Sequence, residues 1–112
     1  MKILYDEIHD ILDVFFGERS SESEMSAYEL RDGIIVYVNG RMQPVQLTLV
    51  NFRRLTGIPV IHFDKLGGYP EEEREKLLQL LKSPPISNIL RIDPDRYLGH
   101  VVSPSLVEVC SL

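Results

Sequence analysis

Two dipeptides, Asp32-Gly33 and Asn39-Gly40, constrain this chain more than any other feature. They separate three runs rich in β-branched and aromatic residues, at 28–31, 34–38 and 41–50. A two-residue type I′ turn needs positive φ at both central residues, and Asp-Gly and Asn-Gly tolerate it. The spacing predicts a three-stranded antiparallel meander. In the register these turns would set, Leu30 faces Ile35, Tyr28 faces Tyr37, Tyr37 faces Met42 and Ile35 faces Pro44. Proline cannot donate to a ladder, so a bulge or an unpaired edge is expected near Gln43-Pro44.

The middle run, Ile-Ile-Val-Tyr-Val, is apolar at every position. A strand covered on one side alternates apolar with polar, so this one reads as covered on both. A second copy of the chain would supply the extra cover, with Ile34, Val36 and Val38 as candidate interface residues.

The rest of the chain completes an α+β reading. Leu4, Ile8, Ile11 and Phe15, widened by Leu12 and Phe16, follow a helical stripe and predict an amphipathic N-terminal helix over 3–16, ended by Gly17. Residues 18–26 are a polar loop that burial cannot order. After a connector at 51–59, residues 60–63 read as a short strand and 70–81 as a second helix. Pro70 opens that helix, Glu71, Glu72 and Glu73 lie at its positive end, Leu77, Leu78 and Leu81 form its stripe, and Ser83-Pro84-Pro85 stops it. A C-terminal hairpin is expected from 88–92 and 97–102 around Asp93-Pro94-Asp95, with 106–109 as a further edge strand. The architecture expected is helices packed on an antiparallel sheet, in a single domain spanning 1–112.

This order of helix, three strands, helix and two strands, over residues 3–102, resembles the small homodimeric chaperones of type III secretion, with 70–81 in the place of their central helix. The resemblance implies a dimer that binds another protein. The strand-like 106–109 departs from it, since that family ends in a helix.

Composition narrows the function. The chain has 112 residues, 44% of them hydrophobic, and a net charge of −5. The acidic balance argues against duplex nucleic acid and anionic membranes as partners. A single cysteine, Cys110, forms no intrachain disulfide, which reads as cytoplasmic. No apolar run reaches the length of a membrane span. Charge is uneven: residues 1–30 carry −6, residues 31–65 carry +3 and residues 66–112 carry −2.

No nucleophile elbow, phosphate loop, dinucleotide fingerprint or zinc motif is present, and no cofactor or metal site is expected. His62 and Asp64, two apart on a strand, share a face and are the one pair suited to acid–base work; whether they belong to a site stays open here. Asp93 and Asp95 read as turn residues. The leading expectation is a non-enzymatic acidic protein-binding module of adaptor, chaperone, immunity or inhibitor type, homodimeric. The alternative is a single-stranded nucleic-acid binder using the basic middle, with Arg31, Arg41, Arg53 and Arg54 tracking phosphates and Phe52 stacking bases.

Overall fold

The computed structural model describes residues 2–17 and 24–102. The expected edge strand at 106–109, Cys110 and most of the polar stretch 18–26 lie outside the described residues.

The N-terminal segment is a β-hairpin and not a helix. Strands β1 (Lys2–Asp6) and β2 (Ile11–Phe15) pair antiparallel, with Lys2 opposite Phe15 and Asp6 opposite Ile11. Alternation decides the matter: Ile3, Tyr5, Leu12 and Val14 are all buried, whereas Ile8, central to the expected helical stripe, is 90% exposed. The turn is held by the Asp6 carboxylate, which accepts the backbone N–H groups of Ile8 at 3.0 Å and His9 at 3.2 Å. Asp10 closes the turn in the left-handed region at φ 55, which aspartate tolerates better than most residues.

The expected three-stranded meander is replaced by a five-stranded sheet. Strands β3 (Ser26–Arg31), β4 (Ile34–Val38) and β5 (Pro44–Val50) are joined by the hairpin in the order β1-β2-β5-β4-β3, antiparallel throughout. The expected register is also wrong. Tyr28 faces Val36, and Tyr37 faces Gln46. Both turns explain this. At the first, Gly33 alone takes positive φ (89), and the register shifts between Glu29 and Arg31. At the second, Asn39 organises a longer loop. Its side-chain oxygen accepts the N–H groups of Arg41 at 2.9 Å and Gln43 at 3.0 Å, and Met42 takes the positive φ. A second register shift, between Tyr37 and Val38, falls opposite Pro44 and Gln46.

Past β5, the short helix α1 (Phe52–Thr56) leads to β6 (Ile61–His62) and then to helix α2 (Glu71–Lys82). In α2, Leu77 and Leu81 are buried and Glu72 pairs with Lys76 at 3.6 Å. Strands β7 (Leu90–Asp93) and β8 (Leu98–Val101) form a hairpin, tightened by Asp93 accepting the N–H of Asp95 at 2.9 Å. With β6 they make a second sheet of order β6-β8-β7. The resemblance in element order to the secretion chaperones therefore fails at its first element.

One core joins the two parts. Ile3, Tyr5, Leu12, Val14, Leu30, Ile34, Val36, Val38, Leu47 and Leu49 point from one face of the five-stranded sheet toward Phe52, Leu55, Phe63, Leu66, Leu77, Leu81 and Ile89. The large sheet is thus covered on one side by the helices and the small sheet.

Candidate protein-docking face

The register fixes what the other side of the large sheet displays, because residues directly opposite in a ladder share a face. One row runs Leu4, Asp13, Thr48, Ile35, Glu29 across the five strands. A second runs Lys2, Phe15, Gln46, Tyr37, Ala27. A shorter one runs Asp6, Ile11, Val50. Leu4, Ile11, Ile35, Tyr37 and Val50 are half-buried and take no part in the core cluster. Among the described residues, no helix packs on this face.

A polar knot sits at its centre. The Asp13 carboxylate accepts the Thr48 hydroxyl at 2.6 Å and the Gln46 amide at 3.2 Å, and that amide also donates to Thr48 at 3.0 Å. Gln46 and Thr48 are only 7% and 9% exposed, although they point away from the core. β5 lies between two neighbours on each side, and the flanking aliphatic side chains shield it. Buried polar groups persist when satisfied, and here every described one is.

One end of the sheet carries a second ordered cluster. The Tyr5 hydroxyl, buried to 1% exposure, donates to Asp10 at 2.6 Å. Burial first, and then that hydrogen bond, push the Tyr5 hydroxyl above the usual tyrosine pKa. Both Asp10 oxygens accept the Arg53 backbone N–H at 3.2 Å. The Arg53 guanidinium lies 5.7 Å from the centre of the Tyr5 ring, a cation–π distance. This cluster ties the N-terminal turn to α1.

The expected site residues do not come together. Arg31, Arg53 and Arg54 stand at that same end of the sheet, while Arg41 lies in the loop beyond the other end of β4 and β5. The seven residues of β5 separate them by about 20 Å. Arg41 lines an open groove of about 670 Å³ with Met42, Pro44, Lys76, Gln79 and Leu80. Phe52 is 2% exposed and packs edge-on against Tyr5, with ring centres 5.8 Å apart, so it offers no face to a base. Ile34, Val36 and Val38 are 0–1% exposed within the chain's own core and present nothing to a second copy. The outward residues of that strand are Ile35 and Tyr37. His62 and Asp64 are both exposed, and β6 ends at His62, so the strand does not hold them together. Among the described residues, no group of three His, Cys, Asp or Glu side chains is placed to hold a metal ion.

Leu4, Ile11, Asp13 and Val50 were missed as site residues. The helical reading of 3–16 hid the first three, and the wrong register hid the fourth. The alternation of Ile3 and Tyr5 with Leu4, and of Leu12 and Val14 with Asp13, is the signal that finds them. Among the described residues, no helix is long and apolar enough to cross a membrane. No family model matches the chain, and no curated protein or solved structure matches it either.

Proposed function

We propose that this chain is a non-enzymatic, acidic protein-binding module of a cytoplasmic setting, and that it docks its partner on the open face of the five-stranded sheet. The observation that carries the reading is the run of half-buried apolar residues Leu4, Ile11, Ile35, Tyr37 and Val50 on a face that no described helix covers. An antiparallel sheet facing water on one side normally shows polar side chains there.

Charge selects the partner. Asp6, Asp13 and Glu29 point from this face, where Glu29 is paired with Lys65, Asp6 with the His9 ring and Asp13 with Thr48 and Gln46, and Lys2 stands at the rim; the whole chain carries −5. An amphipathic protein segment with an apolar stripe and basic flanks complements it. The single-strand nucleic-acid reading has no comparable support. Of its arginines, Arg41 stands at the opposite end of the sheet from Arg31, Arg53 and Arg54, and its aromatic residue, Phe52, is buried.

The test is affinity capture with the parent and with a variant carrying Ile35→Lys and Val50→Lys, followed by cross-linking. The expected result is a partner retained by the parent, lost by the variant, and cross-linked to Lys2 at the rim of the face. Equal capture by both proteins, or cross-links confined to Lys76 and Lys82 on α2, would contradict the proposal.

A further inference from the structure

β1 is an edge strand of the large sheet, and its outer side has no backbone partner among the described residues. The ladder shows which of its groups are unpaired. Phe16 donates to the Val45 carbonyl at 2.9 Å, so Phe16 turns its backbone groups toward β5. Alternation along β2 then turns the backbone of Phe15, Asp13 and Ile11 toward β1, where they meet Lys2, Leu4 and Asp6. Ile3 and Tyr5 therefore turn their N–H and C=O groups outward, to the open edge. Their side chains stay in the core, at 4% and 1% exposure.

The side chains along this edge are self-complementary. Lys2, Leu4 and Asp6 share the open face, with one charge of each sign two residues to either side of Leu4. The Asp6 carboxylate is held below the usual aspartate pKa, chiefly by its hydrogen bond to the His9 ring at 2.8 Å. Natural proteins protect edge strands by bulges, prolines, inward-pointing charges, short length or charged side chains. Lys2–Asp6 has no bulge, proline or inward-pointing charge, and its two charges, Lys2 and Asp6, are of opposite sign and so oppose each other in an antiparallel pair.

We propose that two copies of this chain pair antiparallel along β1, with the two-fold axis passing through Leu4. In that register Lys2 faces the partner's Asp6, and Asp6 faces the partner's Lys2. Ile3 and the partner's Tyr5 exchange both backbone hydrogen bonds, and symmetry repeats the exchange. Leu4 meets the partner's Leu4 as a non-hydrogen-bonded pair, the geometry in which opposing side chains lie closest. The result is one continuous ten-stranded sheet whose open face is doubled. An isologous contact of this kind closes on itself and stops at the dimer. The pairing uses the edge of the sheet and stands independently of what docks on its face.

The test is the mass of the full chain by sedimentation across roughly 1–100 μM, with charge-swap variants. The parent is expected to dimerise. Lys2→Glu places like charges opposite each other at both ends and should weaken the dimer roughly tenfold. Asp6→Lys makes the same clash but also removes the carboxylate that holds the turn, so its part in the contact is read from rescue and not from its own weakening. A mixture of the two variants restores opposite charges at both ends and should recover a heterodimer. Amide exchange at Ile3 and Tyr5 should slow as concentration rises, which checks the register without any substitution. A monomeric parent at the highest concentration, a dimer indifferent to Lys2→Glu, or exchange at Ile3 and Tyr5 that ignores concentration would overturn the proposal. Dimerisation that survives Ile35→Lys separates this contact from the docking face.

Discussion

Asp10 shows how much one side chain can organise. It accepts the Tyr5 hydroxyl and the Arg53 N–H, while its own backbone carbonyl accepts the N–H of Phe52 at 3.0 Å. Tyr5→Phe keeps the packing and removes the hydroxyl, so it should cost about 1–2 kcal/mol in urea unfolding. The same hydroxyl sets an alkaline limit. Its folded pKa is raised, so its contribution is complete below about pH 10 and fades as pH climbs through the folded value. The loss above pH 10 should be smaller in Tyr5→Phe. Asp6 works in the opposite direction. Its folded pKa is lowered, so its contribution is present above about pH 4 and is lost on further acidification. Gly99 is a steric case. A Cβ there would lie 1.8 Å from the Arg91 carbonyl oxygen, so β7 and β8 must part to admit it. Gly99→Ala should destabilise by about 2–4 kcal/mol in thermal unfolding. None of these roles was legible in the sequence, because each depends on residues distant in the chain or on backbone contacts that residue spacing does not reveal.

At the scale of elements, legibility followed the strength of the local signal. Helix α2 was readable because its apolar spacing, first-turn glutamates and Ser83-Pro84 stop all agree. The hairpin of β7 and β8 was readable from Asp93-Pro94-Asp95. The N-terminal segment misled because it satisfies two periods at once. Leu4, Ile8, Ile11 and Phe15 suit a helix, while Ile3, Tyr5, Leu12 and Val14 suit two strands about a turn. Tertiary pairing with β5 chose the second, burying Tyr5, Leu12 and Val14 and discarding Ile8. Leu12 lies at the centre of that choice, fully buried between β1 and β5. Leu12→Ala should cost about 2–5 kcal/mol in urea unfolding. The meander misled for a different reason. At Asn39-Gly40 the Asn39 side chain caps a longer loop and moves the pairing by an even number of residues, which keeps the faces, whereas at Asp32-Gly33 the pairing slips by one residue, so that Tyr28 meets Val36 and not Tyr37.

The molecule as a whole is organised by two unlike faces of one sheet. The two-sided apolar character of β4 was readable, and it pointed to cover on both sides. Alternation separates Ile34, Val36 and Val38 from Ile35 and Tyr37 in any register, but nothing local to β4 says which of the two sets meets the helices, and the sequence put the wrong set outward. Val36 is fully buried against the helical layer, and its neighbour Ile35 looks out from the open face. The scattered arginines make the same point. Their nearness in sequence means little once β5 carries Arg53 and Arg54 to the end of the sheet opposite Arg41. The most direct measurement compares Val36→Lys with Ile35→Lys by circular dichroism and thermal unfolding. The account predicts that Val36→Lys is unfolded at 25 °C, since it buries an unpaired charge, while Ile35→Lys folds with a midpoint within about 5 °C of the parent. A folded Val36→Lys, or an Ile35→Lys that unfolds with it, would contradict the division of the sheet into a core face and a docking face.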